Sequence, residues 1–256
     1  MPRTFNWHPA TLVGGGNLSL KNPNDYALVV LNQPVSNNRA FFELWNNASV
    51  RVAADGGANR LHELFSLERV QAAGLDAIVG DLDSLEDTAK EFFQGHGKRI
   101  PVVHFTDQNT YDIDKVVSWL RSAYSQNFDI VLYGGIGGRV DHGLRQIHYL
   151  FFLQPEFDYS TGKIFLASQD SLTFLMKPGR HVVSMRRDIG GCLGDTIGLI
   201  PVASESIVST KGLEKDVSEV KIGFHGSIMS SCRILQEQQE LEVLTTEQIL
   251  FTVSLE

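Results

Sequence analysis

The feature that most limits how this chain can fold is an alternation of two periodicities. Six short apolar, β-prone runs occur at residues 27–31, 50–54, 77–79, 102–104, 130–133 and 164–167. Between them, residues 39–46, 58–65, 85–93, 112–124 and 141–152 carry apolar side chains at helical spacing. Strands that are apolar along their whole length are buried on both faces, and strands joined through helices run parallel. The pattern therefore predicts an α/β N-terminal domain with a mainly parallel sheet. After about residue 163 the pattern changes. Val182, Met185, Ile197, Leu199, Ile207, Val208, Ile222, Phe224, Ile228 and Leu241 to Val243 fall in short alternating runs broken by Gly, Pro and Asp, which predicts an all-β, antiparallel C-terminal domain. The expected division is 1–160 and 161–256. Residues up to about Asp25 show no period and read as a poorly ordered arm or surface segment.

Charge narrows the function classes. With 22 Lys+Arg against 30 Asp+Glu the net charge is -8, which argues against a broad basic surface for nucleic acid or anionic lipid. An acidic protein that handles phosphates calls for a divalent metal. The two cysteines, Cys192 and Cys232, have neither zinc-site spacing nor disulfide-scaffold density. The N-terminal residues lack a signal-peptide apolar core and no apolar stretch is long enough to span a bilayer, so a cytoplasmic location with no membrane partner is expected.

In open parallel sheets ligands bind beyond the carboxyl ends of the strands, so the polar residues closing each run are the candidates for chemistry. They are Asn32-Gln33-Pro34, Asp55-Gly56-Gly57-Ala58-Asn59-Arg60, Gly80-Asp81-Leu82-Asp83-Ser84, Thr106-Asp107-Gln108 and Gly134-Gly135-Ile136-Gly137-Gly138-Arg139-Val140-Asp141. Asp81 and Asp83 are two apart, so in an extended segment both carboxylates face one side with Cα atoms about 6 to 7 Å apart, a pair suited to Mg²⁺. The alternative makes Ser84-Leu85-Glu86-Asp87 a capping box with both aspartates solvated near a helix start. Asp112 opens the next helix with Lys115 one turn on, so the two share a face and can reach metal and phosphate. Here the alternative is an Asn109 cap with Lys115 a solvated partner. Gly134, Gly135, Gly137 and Gly138 let backbone N–H groups approach an anion, and Arg139 adds charge, which suits a triphosphate; a plain tight turn is the alternative. Asn32, Gln33, Asn59, Arg60 and Lys115 complete the candidate nucleotide contacts. His62, His104, His142 and His148 lack metal-ligand spacing and receive no role.

Taken in order, Leu31-Asn32-Gln33-Pro34, Ala54 to Arg60, Gly80 to Ser84, Asp107-Gln108 with Asp112 and Lys115, and Gly134 to Asp141 closely resemble eukaryotic thiamin pyrophosphokinase. Similarity continues through Lys177-Pro178-Gly179-Arg180-His181, Gly198-Leu199-Ile200-Pro201-Val202 and Thr210-Lys211-Gly212-Leu213. The resemblance implies an α/β domain joined to a C-terminal β-sandwich, in homodimers whose sites lie where the two kinds of domain meet across subunits. It implies pyrophosphoryl transfer from ATP to the hydroxyl of thiamin, releasing AMP. Mg²⁺ would be held by Asp81, Asp83 and Asp112, with Asp55, Arg139 and Asp141 as further catalytic residues. Asp112 and Asp55 are both candidates for accepting the alcohol proton.

The acceptor half departs from the family. A tryptophan usually follows its Gly-Leu segment, whereas Gly212-Leu213-Glu214 leads here to Lys215, and Ser230-Ser231-Cys232-Arg233 stands for a Ser-Thr-Ser-Asn pattern. Tyr111 and Asp114 beside Asp112 also differ from the usual run, and His142 replaces a common Gln. Gln108, Lys215, Ser230, Ser231 and Arg233 are the candidate acceptor contacts. Thiamin carries a fixed positive charge, so exchanging a ring for a cation costs stacking and electrostatics. Three readings follow: a thiamin enzyme with compensating changes, a pyrophosphokinase retargeted to another alcohol, or a non-catalytic nucleotide-binding paralogue.

Overall fold

The computed structural model describes residues 2–14, 26–36, 38–68, 74–95, 100–107, 110–124, 128–185 and 190–256. Among them, β1 (Thr4–Trp7) and α1 (Pro9–Leu12) precede the alternating region. That region contains β2 (Tyr26–Val30), α2 (Asn38–Asn47), β3 (Val50–Ala54), α3 (Gly57–Glu68), β4 (Ala77–Gly80), α4 (Asp87–Gly95), β5 (Val102–His104), α5 (Asp112–Ala123), β6 (Asp129–Tyr133), α6 (Val140–Phe152) and β7 (Ile164–Ala167). Strands only follow: β8 (Ser171–Met176), β9 (Gly179–Ser184), β10 (Leu193–Ile200), β11 (Ser206–Lys211), β12 (Val220–Ile222), β13 (Met229–Arg233), β14 (Glu240–Thr245) and β15 (Ile249–Leu255).

The continuous apolar runs become central strands where both faces are buried, as in β2, β4, β6 and β7, whereas β5 at the sheet edge is only partly covered. Tyr26, Leu28 and Val30 pack with Phe41 and Leu44 of α2 and Leu61 and Phe65 of α3 on one face. On the other, Ala27, Val29 and Leu31 meet Ile113, Val116 and Leu120 of α5 and Tyr149 and Leu150 of α6. In β14, by contrast, Leu241 and Val243 are fully buried while Glu240 and Leu244 face outward, the period-2 pattern of a sheet with one wet face.

Two sheets result. One runs β13-β10-β15-β8-β7-β6-β2-β3-β4-β5 and the other β1-β9-β14-β11-β12. β7 pairs parallel with β6 and antiparallel with β8, so the large sheet crosses the 160/161 division without a break. The antiparallel half of the large sheet packs against the five-stranded sheet through Phe174, Phe251, Val183, Val208 and Val243. The α/β layer and the β-sandwich thus share one continuous sheet. No helix among the described residues is long and apolar enough to cross a membrane.

The N-terminal segment corrects the expectation of a loose arm. β1 pairs in parallel with β9, Thr4 opposite Arg180 and Trp7 opposite Val183. Trp7 is fully buried, stacks on Phe174 at 4.1 Å and donates its Nε1–H to His181 Nδ1 at 2.9 Å. Four residues cannot display a period, and the partner strand lies more than 170 residues away, so nothing local announces this strand. Residues 15–25 of the expected arm lie outside the described residues.

Strand order also locates a crevice. From β2 the chain steps outward through β3, β4 and β5, then returns to β6 on the other side of β2. The β2/β6 boundary is therefore a topological switch point, with the 31–34 segment and the glycine loop above it.

Candidate active site

Three carboxylates converge at the ends of β3 and β4. Asp55, Asp81 and Asp83 each offer an oxygen, and these three lie within 4.8 Å of one another. The backbone is forced into place to achieve this. Asp55 has φ 43° and Leu82 φ 66°, left-handed conformations that cost a side-chain-bearing residue of order 1 to 3 kcal/mol each. Leu82 corrects the expectation of an extended Asp81–Asp83 segment: the chain turns there, and a turn, not strand alternation, brings the carboxylates together. The capping-box alternative is not formed either. The Ser84 hydroxyl donates to Asp83 Oδ1 at 3.0 Å, and the helix starts only at Asp87. Glycines make room for this crowding, since a Cβ on Gly80 would lie 2.7 Å from Asp55 Cβ, and one on Gly57 would strike the Val30 carbonyl.

The electrostatics are poised for a cation. Asp55 is 1% exposed; its Oδ2 accepts the Ser84 N–H at 3.2 Å while its buried Oδ1 has no partner. Burial, with Asp83 and Asp112 adding to it, pushes the Asp55 carboxyl up to about 7. The Lys115 ammonium is buried between carboxylates, bonded to Asp81 and 3.5 Å from Asp112 Oδ1. Its bond to Asp81 holds that carboxyl below the usual range, whereas burial raises Asp112. Burial works against the Lys115 charge, but the two aspartates outweigh it and raise its pKa. Lys115, expected to meet phosphate, thus has carboxylate partners here. Hard oxygen donors with one unsatisfied buried oxygen are what a Mg²⁺ site needs, so the residues fit that ion.

Across the switch point, Gly134, Gly137 and Gly138 have φ of 84°, 152° and 65°. The loop lies over Gln33: a Cβ on Gly134 would come 2.9 Å from Gln33 Cβ. Arg139 closes on Asp141 with two bonds, Nε to Oδ1 at 3.1 Å and Nη2 to Oδ2 at 2.7 Å, both side chains exposed at the loop mouth. Asn32 Oδ1 accepts from Arg60 Nε at 2.9 Å. Asn59 is engaged by the protein itself: it donates to the Ser84 carbonyl at 2.8 Å and accepts the Glu86 N–H at 3.0 Å, tying the β4–α4 turn to α3. That tether and the Gln33 contact are tertiary features with no local signal. Gln108 and the alternative cap Asn109 lie outside the described residues; the residue before α5 is Tyr111.

The family model described as "Thiamin pyrophosphokinase, catalytic domain" matches residues 41–159, and "Thiamin pyrophosphokinase, vitamin B1 binding domain" matches 180–250. Thiamine pyrophosphokinase 3 of Oryza sativa subsp. japonica is 32% identical over 244 residues, covering 90% of this chain and 87% of its own length. The chain belongs to the thiamin pyrophosphokinase family. Thiamine pyrophosphokinase 1 of Arabidopsis thaliana is 30% identical over 244 residues, covering 90% and 86%. The crystal structure of yeast thiamin pyrophosphokinase shares the fold, with a TM-score of 0.79 at 23% identity over 98% of this chain and 91% of that one. This chain is accordingly an enzyme of the pyrophosphokinase type, in a family that uses ATP as co-substrate, generally with a divalent metal.

As a member of that family, the chain places its acceptor candidates far from the carboxylates. Ser230, Ser231 and Arg233 are exposed on β13, where Ser231 has φ 55° and the pairing with β10 shifts register. Exposed Lys215 lies beside Arg233 because the Glu214 N–H donates to the Arg233 carbonyl at 2.9 Å. β13 is seven strand positions from β3 in the large sheet. At roughly 4.8 Å per strand that is on the order of 30 Å.

Proposed function

We propose that this chain transfers a pyrophosphoryl group from ATP to the hydroxyl of thiamin, giving thiamin diphosphate and AMP. The observation that supports the reading is the convergence of Asp55, Asp81 and Asp83 at the ends of β3 and β4, on the sheet that carries the glycine loop after β6. Asp55, Asp81 and Asp83, with Asp112 alongside, would hold Mg²⁺, which would supply positive charge against the phosphates. The loop N–H groups of Gly134 to Gly138 and the Arg139 guanidinium orient the triphosphate, and Asp141 orients Arg139. Lys115 keeps Asp81 ionised and compensates the local negative charge. Residues 1–160 supply the donor half, and 161–256 the acceptor half.

A homodimer completes the site. Seven strand positions separate β13, which carries Ser230, Ser231 and Arg233, from β3, and eight separate it from β4, so these residues and the neighbouring Lys215 serve the cluster of a second copy. Val140, Leu144 and Phe152, four or eight apart on α6, form an exposed apolar stripe available for that contact. The enzyme acts in the cytoplasm on small molecules, with no nucleic acid or membrane partner.

The test is AMP release from ATP and Mg²⁺ with thiamin and a panel of other small alcohols. Thiamin-dependent AMP release supports the reading. Release with another alcohol but not with thiamin would replace it by a retargeted enzyme.

A further inference from the structure

Two contacts bind the start of α5 to the middle of α6. The Arg145 guanidinium carbon lies 3.9 Å from the centre of the Tyr111 ring, and the Tyr149 hydroxyl donates to Asp114 Oδ2 at 2.6 Å. On α5 these partners flank Asp112. Tyr111 precedes the helix and lacks the short side-chain oxygen that usually caps one, and its N–H is taken instead by the same Asp114 Oδ2 at 3.3 Å. On α6, Arg145 and Tyr149 are one turn apart, and Asp141 is one turn before Arg145, so all three share a face. Tyr149 is 3% exposed, and burial, followed by the bond to Asp114, keeps its phenol protonated as a donor. The first turn of a helix is where it frays, and here that turn carries a carboxylate of the proposed metal cluster.

We propose that Arg145 and Tyr149 are positioning residues which, through Tyr111 and Asp114, hold the Asp112 carboxylate in register with the helix that follows the glycine loop. The inference rests on the reading of Asp55, Asp81, Asp83 and Asp112 as the metal cluster. Neither side chain needs to touch the metal or the phosphates, because the contacts act on the backbone that carries Asp112. A cation–π contact and a hydrogen bond to a carboxylate are each strong enough to decide whether a helix start is ordered.

Mn²⁺ binding to the protein in nucleotide-free buffer, read by loss of the free-ion electron paramagnetic resonance signal, tests this without turnover. Tyr149→Phe and Arg145→Ala should each weaken Mn²⁺ binding about three- to tenfold, the scale of one charged hydrogen bond or less, while KM for thiamin stays unchanged. Arg145→Lys should recover part of the loss. Because Tyr149 acts through Asp114, Tyr149→Phe combined with Asp114→Asn should be no weaker than the weaker single variant. Wild-type Mn²⁺ affinity in both Tyr149→Phe and Arg145→Ala, or strict additivity of the Tyr149 and Asp114 changes, overturns the proposal. Should Tyr149→Phe fail to fold, Arg145→Ala, at a partly exposed contact, carries the test alone. Failure of the underlying site reading looks different: Asp83→Asn would then bind Mn²⁺ as tightly as wild type.

Discussion

The catalytic edge and the sandwich core both bury ionisable groups, yet they treat them in opposite ways. In the sandwich, His181 uses both ring nitrogens: Nδ1 accepts from Trp7 and Nε2 donates to the Lys177 carbonyl at 2.7 Å. Burial lowers its pKa to about 4, so the imidazole is neutral and its hydrogen bonds are complete when the chain folds. At the edge, Asp55 leaves one buried oxygen without a partner, adopts a left-handed backbone and is pushed up to about 7. A core group completed by the fold contributes stability; a site group left incomplete costs stability until a ligand completes it. Lys177 marks a limit to the contrast, because its buried ammonium has no hydrogen-bond partner and rests 4.5 Å from the Tyr159 ring centre.

The strongest way to break the comparison is Trp7→Ala. It removes a fully buried indole and the donor to His181, and should cost about 3 to 5 kcal/mol of stability in urea unfolding, with turnover per folded molecule nearly unchanged. An unaltered unfolding midpoint would show that β1 is not part of the sandwich core. Next in size, Asp55→Asn should lower turnover by about a hundred- to a thousandfold, the scale for losing one preorganised electrostatic contact. In metal-free buffer the same variant should be more stable than wild type, since an amide carries no charge to bury, nor one to set beside Asp83 and Asp112. A variant both slower and less stable there would place Asp55 with the core groups.

The two groups also give opposite pH slopes. Unfolded His181 titrates near 6.5 and folded His181 near 4, so the unfolded chain binds more protons in that window and stability is lost as pH falls through it. Folded Asp55 titrates near 7 and unfolded Asp55 near 3.9, so there the folded chain binds more protons and stability is lost as pH rises. In wild type the slopes oppose each other. Asp55→Asn should expose the His181 slope, at most about 1.4 kcal/mol per pH unit, or about 2 kcal/mol between pH 6.5 and 5. Urea unfolding at those two pH values measures it, and an identical pH dependence in wild type and variant would refute the assignment.

The smallest effect concerns the proposed acceptor contacts at Lys215 and on β13. Lys215→Trp with Arg233→Asn should lower KM for thiamin about tenfold by restoring a ring and removing two like charges. Wild-type turnover already brisk at micromolar thiamin, with no gain in the variant, would show that these cations do not face the thiazolium.

The central strands are legible almost to the residue, as at 164–167, because burial on both faces writes an uninterrupted apolar run into contiguous positions. Family membership was legible for a related reason: each motif closes a strand and is local. β1 is not legible in the sequence because its energy comes from β9 and from the Trp7 pocket. The Leu82 turn is not legible either, because leucine carries no left-handed preference and only the surrounding structure can impose that conformation.

By itself, the sequence determined the layers and the family, and it named the strand ends as the candidates for chemistry, since periodicity and short motifs depend on neighbours along the chain. Tertiary structure alone decided that Asp55 joins Asp81 and Asp83, that Lys115 serves carboxylates, that Asn59 and Gln33 brace the loops, and that β13 lies seven positions from β3. Each of these depends on which strands and helices become neighbours in space, and that is settled by long-range packing, which no local pattern encodes.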